Sequence, residues 1–146
     1  MNRSFKYIGC FFSPKYFHER IKGIRADALE NDIKAPHITF KYQPEEVNKS
    51  LFGRLLHVTI VGYGNNGVNE GLKVTVSSQD PELQAMIDQI EVPHITIAIS
   101  DNGKPVNTRY LVFHEIEPIS IIGRFGGYNK NGKVITKSHW KKKETD

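Results

Sequence analysis

Two histidines, His37 and His94, stand in the same tetrapeptide, Pro-His-Ile-Thr, at residues 36–39 and again at 93–96. Each copy carries a threonine, Thr39 or Thr96, two residues after its histidine. An imidazole titrates near neutrality, at about 6.5 when unperturbed, so one of a pair can be neutral while the other holds a proton. Phosphodiester cleavage needs that combination. The neutral ring takes a proton from the attacking oxygen and the charged ring gives one to the leaving oxygen, each step contributing roughly 10²–10⁴-fold. The threonine hydroxyls suit the non-bridging oxygens, where negative charge accumulates. This chemistry calls for no cofactor and no metal.

Each tetrapeptide opens an alternating run, HITFKY or HITIAIS, and strand periodicity then sorts the side chains. His37, Thr39 and Lys41 are expected on one face, with Ile38, Phe40 and Tyr42 on the other. In the second run His94, Thr96, Ala98 and Ser100 share a face, opposite Ile95, Ile97 and Ile99. The expected site is therefore a catalytic pair, His37 and His94, with Thr39, Thr96 and Lys41 binding the substrate phosphate.

Other candidates read as structural. His57-Val58-Thr59 repeats the His-x-Thr pattern but lacks the preceding proline and helix. His18, His114 and His139 have no comparable company. A metal site would want histidines at i, i+2 or i, i+4, or a cysteine and carboxylate cluster. Each motif histidine here stands with a threonine, a poor ligand, and Cys10 is the only cysteine. Residues 62–67, GYGNNG, lack the lysine and following helix of a phosphate-binding loop and read as a hairpin turn. Tyr7, Phe40, Tyr42, Tyr63 and Trp140 are aromatic side chains on which bases can stack if the cleft binds nucleic acid.

The elements that must position the motifs follow from local signals. KYIGCFF reads as a strand. Ser13-Pro14 begins a helix, and Phe17, Ile21, Ile24 and Ala28 continue its apolar face to about Glu30. A loop from Asn31 to Pro36 leads into the first motif strand. LLHVTIVGYG and GLKVTVSS form a hairpin through Asn65-Asn66-Gly67. Asp80-Pro81 begins a second helix with Leu83, Ile87 and Ile90 inward, closed by Pro93. A turn at Asp101-Asn102-Gly103 follows, then strands around Tyr110–Ile116 and Ile119–Arg124. A last hairpin turns at Asn131-Gly132. The order helix, Pro-His-Ile-Thr, strand thus occurs twice. The expected class is α+β with mainly antiparallel sheets, in two similar halves.

At 146 residues the chain is long enough for one domain with a core that needs no disulfide. Net charge is +4, which fits an anionic substrate, and Lys141, Lys142 and Lys143 mark residues 141–146 as a solvated basic tail. IGCFF is too short for a signal-peptide core, and no run reaches membrane-spanning length, so the expected location is cytoplasmic. No obligate protein partner and no membrane partner are expected.

Paired His-x-Thr motifs on strands of a two-lobed α+β domain resemble the 2H phosphoesterase superfamily. That superfamily includes bacterial RNA 2′,3′-cyclic phosphodiesterases of the LigT type and the cyclic phosphodiesterase domain of fungal tRNA ligases. It also includes phage and viral enzymes that cleave 2′-5′ oligoadenylate or cyclic-nucleotide immune signals. The segments PHITFKY, VGYG, GLKV and PHITIAISDNGKPV, in that order, are similar to a compact, RNA-repair-related branch. The resemblance implies a single bilobal, pseudo-symmetric domain over residues 1–146. Two main helices would flank its sheets and the His-x-Thr strands would line a central cleft. It also implies His37 and His94 as the acid–base pair and Thr39 and Thr96 as phosphate clamps. The histidines are 57 residues apart (94 minus 37), closer than in many LigT-type members, which implies lean lobes.

The expected function is a metal-independent phosphodiesterase acting on a 2′,3′-cyclic phosphate at an RNA or nucleotide end. Two alternatives remain open from the sequence. One is a phage or viral-type enzyme for 2′-5′ or cyclic oligonucleotide signals, and the other a non-catalytic module binding RNA or nucleotide.

Overall fold

Eight strands and two short α-helices organise residues 4–25 and 27–137, the part of the chain that the computed structural model describes. His139, Trp140 and the basic tail lie outside the described residues. β1 (Phe5–Phe11) leads to α1 (Pro14–Ile21), with Ser13 at the N-cap and Pro14 in the first turn, where its missing N–H leaves no gap. β2 (Asn31–Asp32), β3 (His37–Tyr42), β4 (Leu55–Asn65) and β5 (Asn69–Ser77) follow. Then come α2 (Pro81–Ile87), β6 (His94–Ile99), β7 (His114–Asn129) and β8 (Val134–Ile135). Single 3₁₀ segments cover Lys49–Leu51 and Pro105–Tyr110. No helix among the described residues is long and apolar enough to cross a membrane.

All strand pairs are antiparallel, in the order β2-β6-β5-β4-β7-β1-β3, with β8 beside the end of β7. The class is α+β, as the sequence implies. Phe17 and Ile21 of α1 and Leu83 and Ile87 of α2 are buried in one hydrophobic cluster with Ile38, Leu56, Ile60, Leu72, Ile95 and Phe125. Burial at about 1.5–3 kcal/mol per large apolar side chain makes this cluster the main stabilising contribution. Asp80 caps α2, its Oδ1 accepting from the backbone N–H groups of Glu82 and Leu83.

β3 ends the sheet on one side and β6 stands next to the end on the other, yet the two strands approach each other. The sheet therefore curls. Matching irregularities accompany the curl. In β3 the register passes from Gly9↔Thr39 to Ile8↔Lys41, leaving Phe40 as an extra residue. In β6 it passes from Gly71↔Thr96 to Glu70↔Ala98, leaving Ile97 extra. Each motif thus has a β-bulge immediately after its threonine and a glycine opposite that threonine. Neither glycine has room for a side chain. A Cβ on Gly9 would overlap the Ile38 carbonyl, and one on Gly71 would meet the Ile95 carbonyl and the Thr108 methyl.

Two expectations about elements need correction. α1 ends at Ile21 rather than near Glu30, closed by a turn in which Ile24 N–H donates to the Ile21 carbonyl. The segment that leaves the helix serves the carboxylate of Glu70, which is 0% exposed. Arg25 donates to both its oxygens, at 2.9 and 2.7 Å, and also to Asp32 at 3.0 Å. The Tyr63 hydroxyl (2.7 Å) and Leu29 N–H (3.1 Å) complete its shell. Satisfying this buried charge outweighs the extra helical turns. The second correction is β7, one strand where two are expected. Pro118 lies between Glu115, opposite Gly62, and Ile119, opposite Ile60, inside a bulge. There its missing N–H leaves no ladder bond unmade.

Burial alone would raise the Glu70 pKa, but the hydrogen bonds from Arg25, Tyr63 and Leu29 and the Arg25 charge hold it below the ordinary value. A lowered carboxylate pKa adds stability above the unfolded-state value and loses it as pH falls through the folded one. Glu70→Ala is expected to cost roughly 3–5 kcal/mol at pH 7 by urea unfolding, because it strands the Arg25 charge. The gap to wild type should narrow below about pH 4. Equal stability of the two proteins at pH 7 would show that the network contributes nothing.

Candidate active site

In each motif the proline carbonyl is spent on the neighbouring strand. Pro36 O accepts from Phe12 N–H and Pro93 O from Val74 N–H. The carbonyl one residue earlier is then left to the histidine. His37 Nδ1–H donates to Ala35 O at 2.8 Å, and His94 Nδ1–H donates to Val92 O at 2.8 Å. A carbonyl only accepts, so in both rings the proton must sit on Nδ1. Nε2 is left as the nitrogen available to a ligand. Neutral, it is a base; protonated, it is an acid.

Both histidines line one cleft of about 760 Å³, together with Thr39, Thr96, Tyr7, Tyr42, Tyr128, Lys34 and Arg109. Four of the five expected site residues are therefore brought together: His37, His94, Thr39 and Thr96. Lys41 is not. Simple alternation puts it on the His37 face, but the bulge at Phe40 shifts the parity of the strand. Lys41 is exposed and outside the cleft lining, and Tyr42 takes the cleft position instead. The signal was present: a glycine inside a strand pattern, Gly9, marks a bulge on the adjoining strand pair. His57, paired with Ser77 and Ile122 on β4, is exposed and away from the cleft, as is His114 at the start of β7.

The two threonines differ. The Thr39 hydroxyl has no hydrogen-bond partner among the described residues. Thr96 is buried, and its hydroxyl donates to Pro105 O at 3.1 Å. That spends its only proton, so the 2.7 Å contact with Thr108 Oγ1 is donated by Thr108. Asn69 Nδ2 in turn donates to Thr108 Oγ1 (3.1 Å) and to Lys104 O (2.7 Å). The expected phosphate donor Thr96 is thus committed to a relay that fastens the Pro105–Tyr110 segment to β6, and Thr39 is the uncommitted one.

Surroundings separate the histidines too. His37 packs against both Tyr7 (centroids 4.5 Å apart) and Phe11 (5.7 Å), which also touch each other at 5.9 Å, and Tyr128 stacks on Tyr7 at 5.1 Å. Burial lowers the pKa of His37; the bond to Ala35 opposes this, and a charged His94 adds to it. Burial also lowers the pKa of His94, with the Val92 bond opposing and the Arg109 charge adding. His37 is the more deeply enclosed of the two rings, so of two like groups that repel, His94 is the one expected to take the first proton. Burial raises the Tyr7 phenol well above its ordinary pKa, with Tyr128 contributing.

Of the aromatic side chains expected to face bases, Tyr7, Phe40 and Tyr42 line the cleft, whereas Tyr63 bonds Glu70. Tyr128, Lys34 and Arg109 line it as well and carry no motif signal. Among the described residues no three His, Cys, Asp or Glu side chains gather as a metal-binding group. No protein-family model matches the chain, and no curated protein compared with it matches.

Nitrogen NMR tests this geometry directly. At pH 7.5 both rings are expected as the Nδ1–H tautomer, and on acidification His94 should protonate before His37. His94→Ala should raise the His37 pKa by removing a repelling charge, yet leave it below the ordinary value because burial persists. A His37 ring that titrates first would reverse the assignment.

Proposed function

We propose that this protein is a phosphodiesterase that opens a 2′,3′-cyclic phosphate at an RNA or nucleotide end, using two histidines and no metal. The observation that carries the reading is the pair of imidazoles with identical Nδ1–carbonyl anchors, both lining one cleft. His37, kept neutral by its apolar surroundings, is the base. It takes a proton from water as the oxygen attacks phosphorus. The P–O3′ bond breaks on the far side, and protonated His94 delivers its Nε2 proton to O3′, leaving a 2′-phosphate. The rings exchange protonation states in the step and reset through solvent. Thr39, with its proton uncommitted, donates to a non-bridging oxygen as charge builds there.

The same features support the finer reading of the fold as two-lobed and pseudo-symmetric, similar to the 2H phosphoesterases. Both motifs share the proline carbonyl bonded to the partner strand, the anchored ring, the glycine facing the threonine and the bulge after it. A cleft of about 760 Å³ also has room for more than one nucleotide unit, which keeps 2′-5′ and cyclic oligonucleotides as a second substrate reading.

Phosphorus NMR of 2′,3′-cyclic nucleotides, 2′-5′ oligoadenylate and cyclic dinucleotides in EDTA tests the reading. Wild type should convert at least one of them, and His37→Ala and His94→Ala should each lose roughly 10²–10⁴-fold in kcat. His57→Ala should match wild type. Saturable binding with no product from any of the panel would leave a nucleotide-binding module.

The pH profile checks the roles. The free enzyme needs neutral His37 and charged His94, and both pKa values lie below the ordinary imidazole value. The expected kcat/KM is a bell centred on the acid side of about pH 6.5. A bound phosphodiester anion favours the charged rings, so the kcat bell should lie at higher pH. An alkaline optimum for kcat/KM would contradict the assignment.

A further inference from the structure

The two ends of the cleft differ in chemistry. Around His37 it is aromatic, with Tyr7, Tyr128 and Tyr42; beside His94 stands a guanidinium, that of Arg109. Arg109 belongs to the 3₁₀ segment Pro105–Tyr110, and its place is set with care for so short an element. Its neighbour Thr108 is fully buried and joined by hydrogen bonds to Thr96 and Asn69, and Pro105 O accepts from Thr96. The segment is thereby indexed to the motif strand two residues from His94.

The guanidinium itself has only weak partners. It lies over the Tyr110 ring, 5.2 Å from the centroid, with 40% of the side chain exposed. The nearest carboxylate oxygen, on Glu91, is 3.9 Å away, beyond hydrogen-bonding distance, and the Glu91 side chain is 84% exposed. Such a pair holds an arginine weakly. A planar fork of N–H donors on a residue that lines the cleft, held by no strong partner, matches the geometry of a phosphate.

We propose that Arg109 is a second anion subsite, which binds the 5′-phosphate of the nucleotide whose 2′,3′-cyclic phosphate is opened. This rests on the phosphodiesterase reading above. In that mechanism His94 protonates O3′, so the ribose lies on the His94 side of the phosphorus. The 5′ carbon of that ribose carries the next phosphate of an RNA chain. Arg109 stands on the same side. The substrate class is then an RNA end or a 5′-phosphorylated nucleotide, and a nucleoside 2′,3′-cyclic monophosphate is a poor substitute because it lacks the second anion. Arg109 acts as a specificity residue and takes no part in proton transfer.

The test compares adenosine 2′,3′-cyclic phosphate with and without a 5′-phosphate, at fixed ionic strength, for wild type and Arg109→Ala. Wild type is expected to favour the 5′-phosphorylated substrate by about tenfold or more in kcat/KM, as a charge-assisted contact should give. In Arg109→Ala that ratio should collapse towards one, and Arg109→Lys, which keeps the charge and loses the fork, should fall between. Calorimetry with adenosine 2′,5′-bisphosphate against adenosine 2′-phosphate supplies a readout independent of turnover and should show the same preference and the same collapse. A wild-type ratio near one, a ratio unchanged in Arg109→Ala, or equal losses on both substrates would overturn the subsite while leaving the phosphodiesterase reading intact. Absence of turnover, combined with an Arg109-dependent preference for the bisphosphate, would uphold the subsite and overturn the reading. Absence of both would overturn the two together.

Discussion

Strands β3 and β6 belong to opposite ends of the sheet, and everything the cleft can do depends on bringing them face to face. The constraint falls on two places where backbones come too close for a side chain. Gly9 faces Thr39 and Gly71 faces Thr96, each with a carbonyl of the motif strand where a Cβ would stand. One extra residue follows in each motif strand, Phe40 or Ile97, and the bulge bends the strand and increases its twist. A flat sheet with the same strand order would hold the two histidines apart with four strands between them. Curled, it presents them to one volume.

Position alone would not give defined chemistry, because an imidazole can carry its proton on either nitrogen. The Ala35 and Val92 carbonyls remove that freedom in the same way in both halves. The carbonyls are available because the prolines that follow have given theirs to β1 and β5, through Phe12 and Val74. Beyond this common frame the halves diverge. The first is finished with rings, Tyr128 on Tyr7 on His37, and the second with a polar relay from Asn69 through Thr108 and Thr96 to Pro105. Identical tetrapeptides therefore sit in unlike surroundings, and those surroundings are the physical ground on which the two rings are expected to differ in proton affinity.

What could be read from the sequence followed local rules. Proline at a helix start, a strand after Pro-His, Asn-Gly turns and a threonine two residues from each histidine all depend on neighbours in the chain, and α2, β3, β6 and both hairpins reflect them. The convergence of His37 and His94 was legible because the repeat carried its context with it. Lys41 was misplaced because counting by twos assumes an unbroken ladder, and Gly9, the residue that announced the break, was not used. α1 was drawn too long because an apolar spacing at Ile24 and Ala28 says nothing of a buried carboxylate on a strand 45 residues later, which takes Arg25 and Leu29 for itself. Arg109 had no motif. Its place in the cleft follows from hydrogen bonds made by its neighbours, and those exist only once β5 and β6 are paired.

Two successive residues of β5, Asn69 and Glu70, illustrate how such non-local polar contacts shape a site. Both are buried, and both lie at the start of the strand beside the β6 bulge, where alternation is broken and consecutive side chains can turn inward. Asn69 holds the Pro105–Tyr110 segment through Lys104 O and Thr108, and Glu70 holds the connection after α1 through Arg25 and Leu29. That connection becomes β2, which covers the outer edge of β6 and ends in the stretch that supplies Ala35 O to His37. One bulge thus secures, on one side, the segment that carries Arg109 and, on the other, the chain that anchors the first histidine. A buried asparagine and a buried glutamate would each be costly without partners. Here their hydrogen bonds help to hold two loops at the edge of the cleft.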